Sequence, residues 1–201
     1  MYHNPDKHPE IGAGACLKVV NARFNAELSR QIAGTLPPGH IYQFGHPSAI
    51  LLSAGLPNLP IEMAASRLVD KALQQNHPFD LYEVENLVSA IQTPLSVFRS
   101  ATHIGSNVIL TALHHHGRNF VVAIQTNMKK GKIEINGIRS VYPKKSLAIM
   151  GWITQDLLDY ADKKRMVEWL SKQQSNSADV RKLFNHTAKI LQNFENPKCG
   201  G

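Results

Sequence analysis

The chain has 201 residues, of which 43% are hydrophobic and 18% charged. That is enough apolar material for one domain with a sizeable core, and it excludes a wholly disordered chain. The formal net charge is +7, and its distribution is uneven. Residues 1–93 carry 6 Lys/Arg against 8 Asp/Glu, whereas residues 94–201 carry 16 against 7. Within 129–145, Lys129, Lys130, Lys132, Arg139, Lys144 and Lys145 face a single acid, Glu134. A basic half joined to a near-neutral half points to an anionic partner, nucleic acid first, with a solvated lysine surface as the plain alternative.

Two cysteines, Cys16 and Cys199, are too few for a disulfide framework, so a reducing compartment is expected. The opening MYHNPDKHPE lacks the apolar run of a secretory signal. The uncharged stretch between Arg30 and Glu62 is broken by five prolines and does not read as a membrane helix.

In chain order, residues 1–20 read as a mobile lead-in. NARFNAELSRQIAG (21–34) has Phe24, Leu28, Gln31 and Ile32 on one helical face, and Gly34 can stop it. A short helix is predicted at 47–54, with Pro47 in its first turn and Gly55 as its cap. EMAASRLVDKALQQ (62–75) reads as a helix. Asp80 and Glu83 form a capping-box variant, and Leu81, Val84, Leu87, Val88 and Ile91 continue as one helical stripe up to Pro94.

After Pro94 the pattern becomes β-rich. LSVFRSA, NVILTALHH, NFVVAIQTN and KIEINGIRSV are separated by HIGSN, HHGR and MKKGK, which predicts four antiparallel strands with short connections. Helices follow over KKSLAIMGWITQDLL, DKKRMVEWLSKQQ and VRKLFNHTAKILQNF, with Tyr160 in an extended link and a frayed tail. The order helices, antiparallel sheet, helices gives class α+β. The organisation expected is a lead-in at 1–20, a domain at 21–173, and a closing helix with its tail at 174–201.

No Walker, paired CxxC, HExxH or GxSxG signature is present. Acids are scarce in the basic half, which argues against a two-metal carboxylate centre. His114, His115 and His116 read as a polar hairpin turn. His46 and His103, beside turn residues, carry little information. His77, before Pro78 and the capped segment, is the histidine placed to act as a proton carrier. As an uninterrupted strand, GKIEINGIRSVYPKK would put Asn136, Ile138, Ser140 and Tyr142 on one face, unless Gly137 marks a bulge. Amide, hydroxyl and phenol groups there can orient a phosphodiester, and Arg139, Lys144 and Lys145 can stabilise its charge. Arg99 and Ser100 end the first strand in a comparable way. The plain alternative is a half-exposed sheet face with ordinary polar residues.

The chain resembles the C-terminal toxin-like domains of phage MuF head proteins and of polyvalent proteins of mobile elements. These belong to the barnase–EndoU–colicin–RelE (BECR) nuclease superfamily. The resemblance runs from GHIYQFGHPSAILLSAGLPNLPIEM through NHPFDLYEVENL, VFRSA, NVILTAL, NFVVAIQTN and EINGIRSVYPKK to GWITQDLLDYADKKRMVEWLS, about residues 39–171.

It implies a four-stranded antiparallel sheet carrying the active site, and a metal-independent toxin RNase that needs no cofactor. In that chemistry a ribose 2′-OH attacks the adjacent phosphorus. The resemblance places His77 as general base or acid, and Ser100, Asn136, Ser140 and Tyr142 at the site. Arg99, Arg139, Lys144, Lys129, Lys130 and Lys132 are the RNA-binding cations by the charge argument alone. The expected partners are RNA, with tRNA one candidate, and an immunity protein or antitoxin; no membrane is involved. The expected location is the cytoplasm of the producing or target cell. Rival readings are a non-catalytic nucleic-acid-binding or head-associated module, and a nucleotide enzyme such as an ADP-ribosyl transferase. The last is weakened by the absence of a distinct nicotinamide-site motif.

Overall fold

The structure is a computed structural model that describes residues 13–73, 78–173 and 177–197. The elements are α1 (Ala13–Ile32), β1 (Ile41–Gln43), α2 (Ala49–Ser53), β2 (Ile61–Ala64), α3 (Ala65–Ala72), a 3₁₀ turn at Leu81–Val84, and α4 (Leu87–Gln92). They continue with β3 (Ser96–Arg99), β4 (Ser106–His115), β5 (Arg118–Lys130), β6 (Ile133–Lys144), α5 (Ser146–Thr154), β7 (Leu158–Ala161), α6 (Lys163–Ser171) and α7 (Ala178–Asn193).

The described strands form one seven-stranded sheet in the order β1-β2-β6-β5-β4-β3-β7. All neighbours are antiparallel except β2 and β6. The class is therefore α+β, and the four strands expected after Pro94 are its centre. β1 and β2 extend one edge and β7 the other. The extended link expected around Tyr160 is β7, paired with β3.

Alternation along the central strands gives the sheet two distinct faces. On the first, Val97, Ile109, Phe120, Val122, Ile124, Ile138 and Val141 meet Phe24 and Leu28 of α1, Leu51 of α2, Leu68 of α3, and Leu87, Val88 and Ile91 of α4. On the second, Phe98, Leu110 and Val121 meet Ile149, Met150 and Ile153 of α5, Met166, Trp169 and Leu170 of α6, and Leu191 of α7. The closing helix is thus packed into the same body as the sheet. Asn119, buried on β5, ties α6 down by accepting the Trp169 indole N–H at 2.8 Å.

Several expectations need correction. α1 begins at Ala13, inside the expected lead-in. The helix expected at 62–75 starts as a strand: Ile61–Ala64 pairs with β1 and β6, and among its described residues only Ala65–Ala72 is helical. The stripe from Leu81 to Ile91 is two pieces, broken at Asn86, which has φ 63°. The side chains of Asn21 and Asn25 on α1 hold that break by donating to Asn86 Oδ1 at 2.7 and 3.0 Å. His114 and His115 end β4, and His116 and Gly117 form the hairpin turn with φ of 46° and 73°. Two consecutive left-handed residues match the twist of the flanking strands.

Candidate functional site

α5–α7 cover only part of the second face. Beside them lies an open cleft of about 560 Å³. Its floor is Val108, Ala123, Gln125, Ser140 and Tyr142 from β4, β5 and β6. One wall is the β3–β4 connection from Arg99 to Ile104, and Lys144 and Trp152 stand opposite. Among the described residues, three cations line it and no carboxylate does.

A bulge in β6 sets the floor. Ala123 pairs with Ser140 and Ile124 with Ile138, which leaves Arg139 as the extra residue. Ser140 and Tyr142 therefore face the cleft, whereas Ile138 faces the first core. The bulge falls at Arg139 rather than Gly137, and it divides the set that an unbroken strand would keep together. Arg139 is exposed at the kink, and among the described residues its guanidinium has no ion pair.

Asn136 requires the clearest correction. It is fully buried, and its amide N–H groups donate to the carbonyls of Pro57 at 2.9 Å and Leu59 at 3.0 Å. It holds the approach to β2 in place and does not line the cleft.

Arg99 lines the cleft, but its charge is engaged. Nη1 donates to Asp159 at 3.0 Å, and Nη2 donates to the Asp156 carbonyl. Burial pushes the Asp159 carboxyl above its usual range, with Arg99 opposing and Asp156 adding to the rise. Arg99 is thus a clamp on the turn before β7 more than a phosphate ligand.

Lys144 is differently placed: its ammonium lies 5.7 Å from the Tyr142 ring centroid and 5.2 Å from that of Trp152. Two aromatic faces hold a cation there without neutralising it. Burial raises the pKa of the Tyr142 phenol, so at neutral pH it keeps its proton as a hydrogen-bond donor.

Lys129, Lys130 and Lys132 lie at the β5–β6 hairpin end and do not line the cleft. Lys130 donates to Glu62, a mostly buried carboxylate on β2. Its ammonium anchors the hairpin and is the least available of the three.

His77 lies outside the described residues. The imidazole that the structure does bring to the cleft is His103, which sequence reading passed over, as it did Thr102, Gln125 and Trp152. The available signal was position: HIGSN joins two neighbouring strands, so its histidine must stand beside the strand end that bears Arg99 and Ser100. Among the described residues no three His, Cys, Asp or Glu side chains cluster as a metal site would need. Among them also, no helix is long and apolar enough to cross a membrane.

A family model described as the phage MuF C-terminal domain matches residues 68–168, from α3 to α6, and so takes in the whole cleft. That is half of the chain, and the chain belongs to this family. No curated protein and no solved structure matches it.

Proposed function

With membership of a phage domain family as the premise, we propose that the cleft binds RNA and cleaves it without a metal, as a BECR-type endoribonuclease toxin would. The observation that carries this reading is the grouping of Arg139, Lys144, Ser140 and Tyr142 around one carboxylate-free cleft. RNA cleavage by 2′-OH transesterification needs positive charge and hydrogen-bond donors directed at one phosphate, because the pentavalent transition state gathers negative charge on its oxygens. Arg139 offers a planar fork for a phosphate, Lys144 a point charge, and Tyr142 and Ser140 neutral donors. The lysines of the β5–β6 hairpin extend the positive surface beyond the cleft and add affinity without sequence preference. Delivery by a phage or mobile element, tRNA as the substrate and a neutralising immunity protein or antitoxin belong to the same proposal.

The test is to incubate the protein with total RNA in EDTA beside the combined variant Arg139→Ala, Ser140→Ala, Tyr142→Phe. The wild type should cut, and the variant should cut at least roughly 10²-fold more slowly while remaining folded. RNA bound but left intact by the wild type would replace this reading with that of a non-catalytic nucleic-acid or head-associated module.

A further inference from the structure

We infer that His103 is the general base of the cleft, and that Thr102 and Ser100 set its tautomer; this rests on the RNase reading above. Ser100 Oγ accepts the backbone N–H groups of Thr102 at 3.4 Å and His103 at 3.2 Å, which folds the chain back on itself just after β3. The far end is pinned as well. The Ser106 N–H donates to the His103 carbonyl at 3.2 Å, and the Thr126 hydroxyl on β5 donates to the Gly105 carbonyl at 2.7 Å. Gly105 itself has φ 73°, a conformation that favours glycine. An exposed loop is thereby held at both ends against the cleft wall.

Within it, His103 Nδ1 lies 2.8 Å from Thr102 Oγ1, and Thr102 Oγ1 lies 3.5 Å from Ser100 Oγ. Ser100 Oγ has both lone pairs taken by N–H donors, so its hydroxyl donates to Thr102 Oγ1, whose second lone pair is left for His103 Nδ1–H. The proton then sits on Nδ1, and Nε2 presents its lone pair. Nε2 has no hydrogen-bond partner among the described residues. A histidine held in this tautomer by its other nitrogen is the arrangement a general base requires. The role assigned to Ser100 changes accordingly: its hydroxyl is a positioning group for the loop rather than a phosphate ligand.

Nε2 takes the proton of the ribose 2′-OH. The 2′-oxygen forms a bond to phosphorus, the bond from phosphorus to the 5′-oxygen breaks, and the leaving oxygen takes a proton from water. The product strand ends in a 2′,3′-cyclic phosphate, and Arg139, Lys144 and Tyr142 stabilise the charge on the non-bridging oxygens in between.

The experiment uses the full chain and a short RNA with one scissile ribose. His103→Ala should lower single-turnover cleavage by roughly 10²-fold or more and leave RNA affinity within about threefold. Thr102→Val should lower the rate about tenfold, shift the pH–rate profile, and move the His103 ring proton from Nδ1 to Nε2 in nitrogen-15 spectra. Thr102→Ser should restore all three. A His103→Ala variant that cleaves at the wild-type rate overturns the proposal and leaves the RNase reading standing. An unchanged tautomer and pH profile in Thr102→Val overturns the positioning role. A wild-type protein that does not cleave RNA overturns the RNase reading and this assignment together.

Discussion

On the first face of the sheet, Val122 and Ile124 of β5 and Val141 of β6 are buried beneath α1–α4. One residue along the same two strands, Ala123, Gln125 and Ser140 open onto the cleft. The same backbone thus serves a sealed core and an exposed site, and side-chain alternation decides which residue serves which. Antiparallel strands with one packed face and one open face permit that division. The bulge at Arg139 shifts the alternation once, so that Ser140 and Tyr142 reach the cleft while Ile138 stays in the core. Stability and function should therefore respond to neighbouring residues of one strand in opposite ways.

The largest effect is expected on the sealed face. Phe120 is fully buried and packs against Phe79. Phe120→Ala should cost about 3–5 kcal/mol in denaturant unfolding. A cost below about 1 kcal/mol would mean that this face is not the core. Across the sheet, Arg139→Ala with Lys144→Ala should lower stability by only about 1 kcal/mol, the cost of the Lys144 contacts with Tyr142 and Trp152. The pair should flatten the log–log salt dependence of single-stranded RNA binding by roughly 1.4, from about 0.7 per phosphate contact. An unaltered slope would place the RNA elsewhere.

Arg99→Ala sharpens the contrast inside the cleft. Because Asp159 and Asp156 already engage this guanidinium, its loss should leave the RNA salt slope unchanged and lower stability by about 1 kcal/mol. A flattened slope would return Arg99 to the phosphate ligands.

The smallest effect concerns the joint between the 3₁₀ turn and the β4–β5 hairpin. His115 Nδ1 lies 2.7 Å from both oxygens of Glu83. Burial alone would raise the pKa of Glu83. The His115 hydrogen bond, the Asp80 N–H, and the charges of His115 and His116 outweigh it, and the folded pKa lies below the ordinary 4.5. A carboxyl lowered on folding contributes stability above its unfolded pKa and loses it as pH falls through the folded value. Glu83→Gln should remove this contribution, so its stability deficit should be present at pH 7 and shrink as the pH drops below 4.5. A deficit constant across that range would show that the pair does not titrate with folding.

Much of this division was legible in the sequence. The strands after Pro94 stood out because β-branched runs alternate with polar turns. The cleft residues Arg99, Ser100, Arg139, Ser140, Tyr142 and Lys144 stood out because polar and basic groups cluster at the ends of those runs. What was not legible depends on distant contacts. β2 is made of Ile61, Glu62, Met63 and Ala64, mostly good helix formers, and it is a strand because β1 and β6 pair with it. The break at Asn86 keeps the helical spacing of Leu81 to Ile91 intact, and the asparagines that stabilise it lie more than sixty residues earlier. Asn136 looked like a site residue because an unbroken strand would put it on one face with Ser140 and Tyr142; its burial under the Pro57–Leu59 carbonyls follows from the β2–β6 pairing. For His103 the signal was only its position between two neighbouring strands; the closure of the β3–β4 loop over the sheet face is what turns a turn histidine into a cleft residue.

The chemistry of the cut ends decides whether the cleft is a metal-independent ribonuclease. A defined oligonucleotide with a single ribose in an otherwise deoxyribose strand, incubated with the wild-type protein in EDTA, should be cut only at that ribose. Mass spectrometry should show a 2′,3′-cyclic phosphate on one product and a 5′-hydroxyl on the other. An oligonucleotide recovered intact, or cut equally when the single ribose is replaced by deoxyribose, would contradict the account.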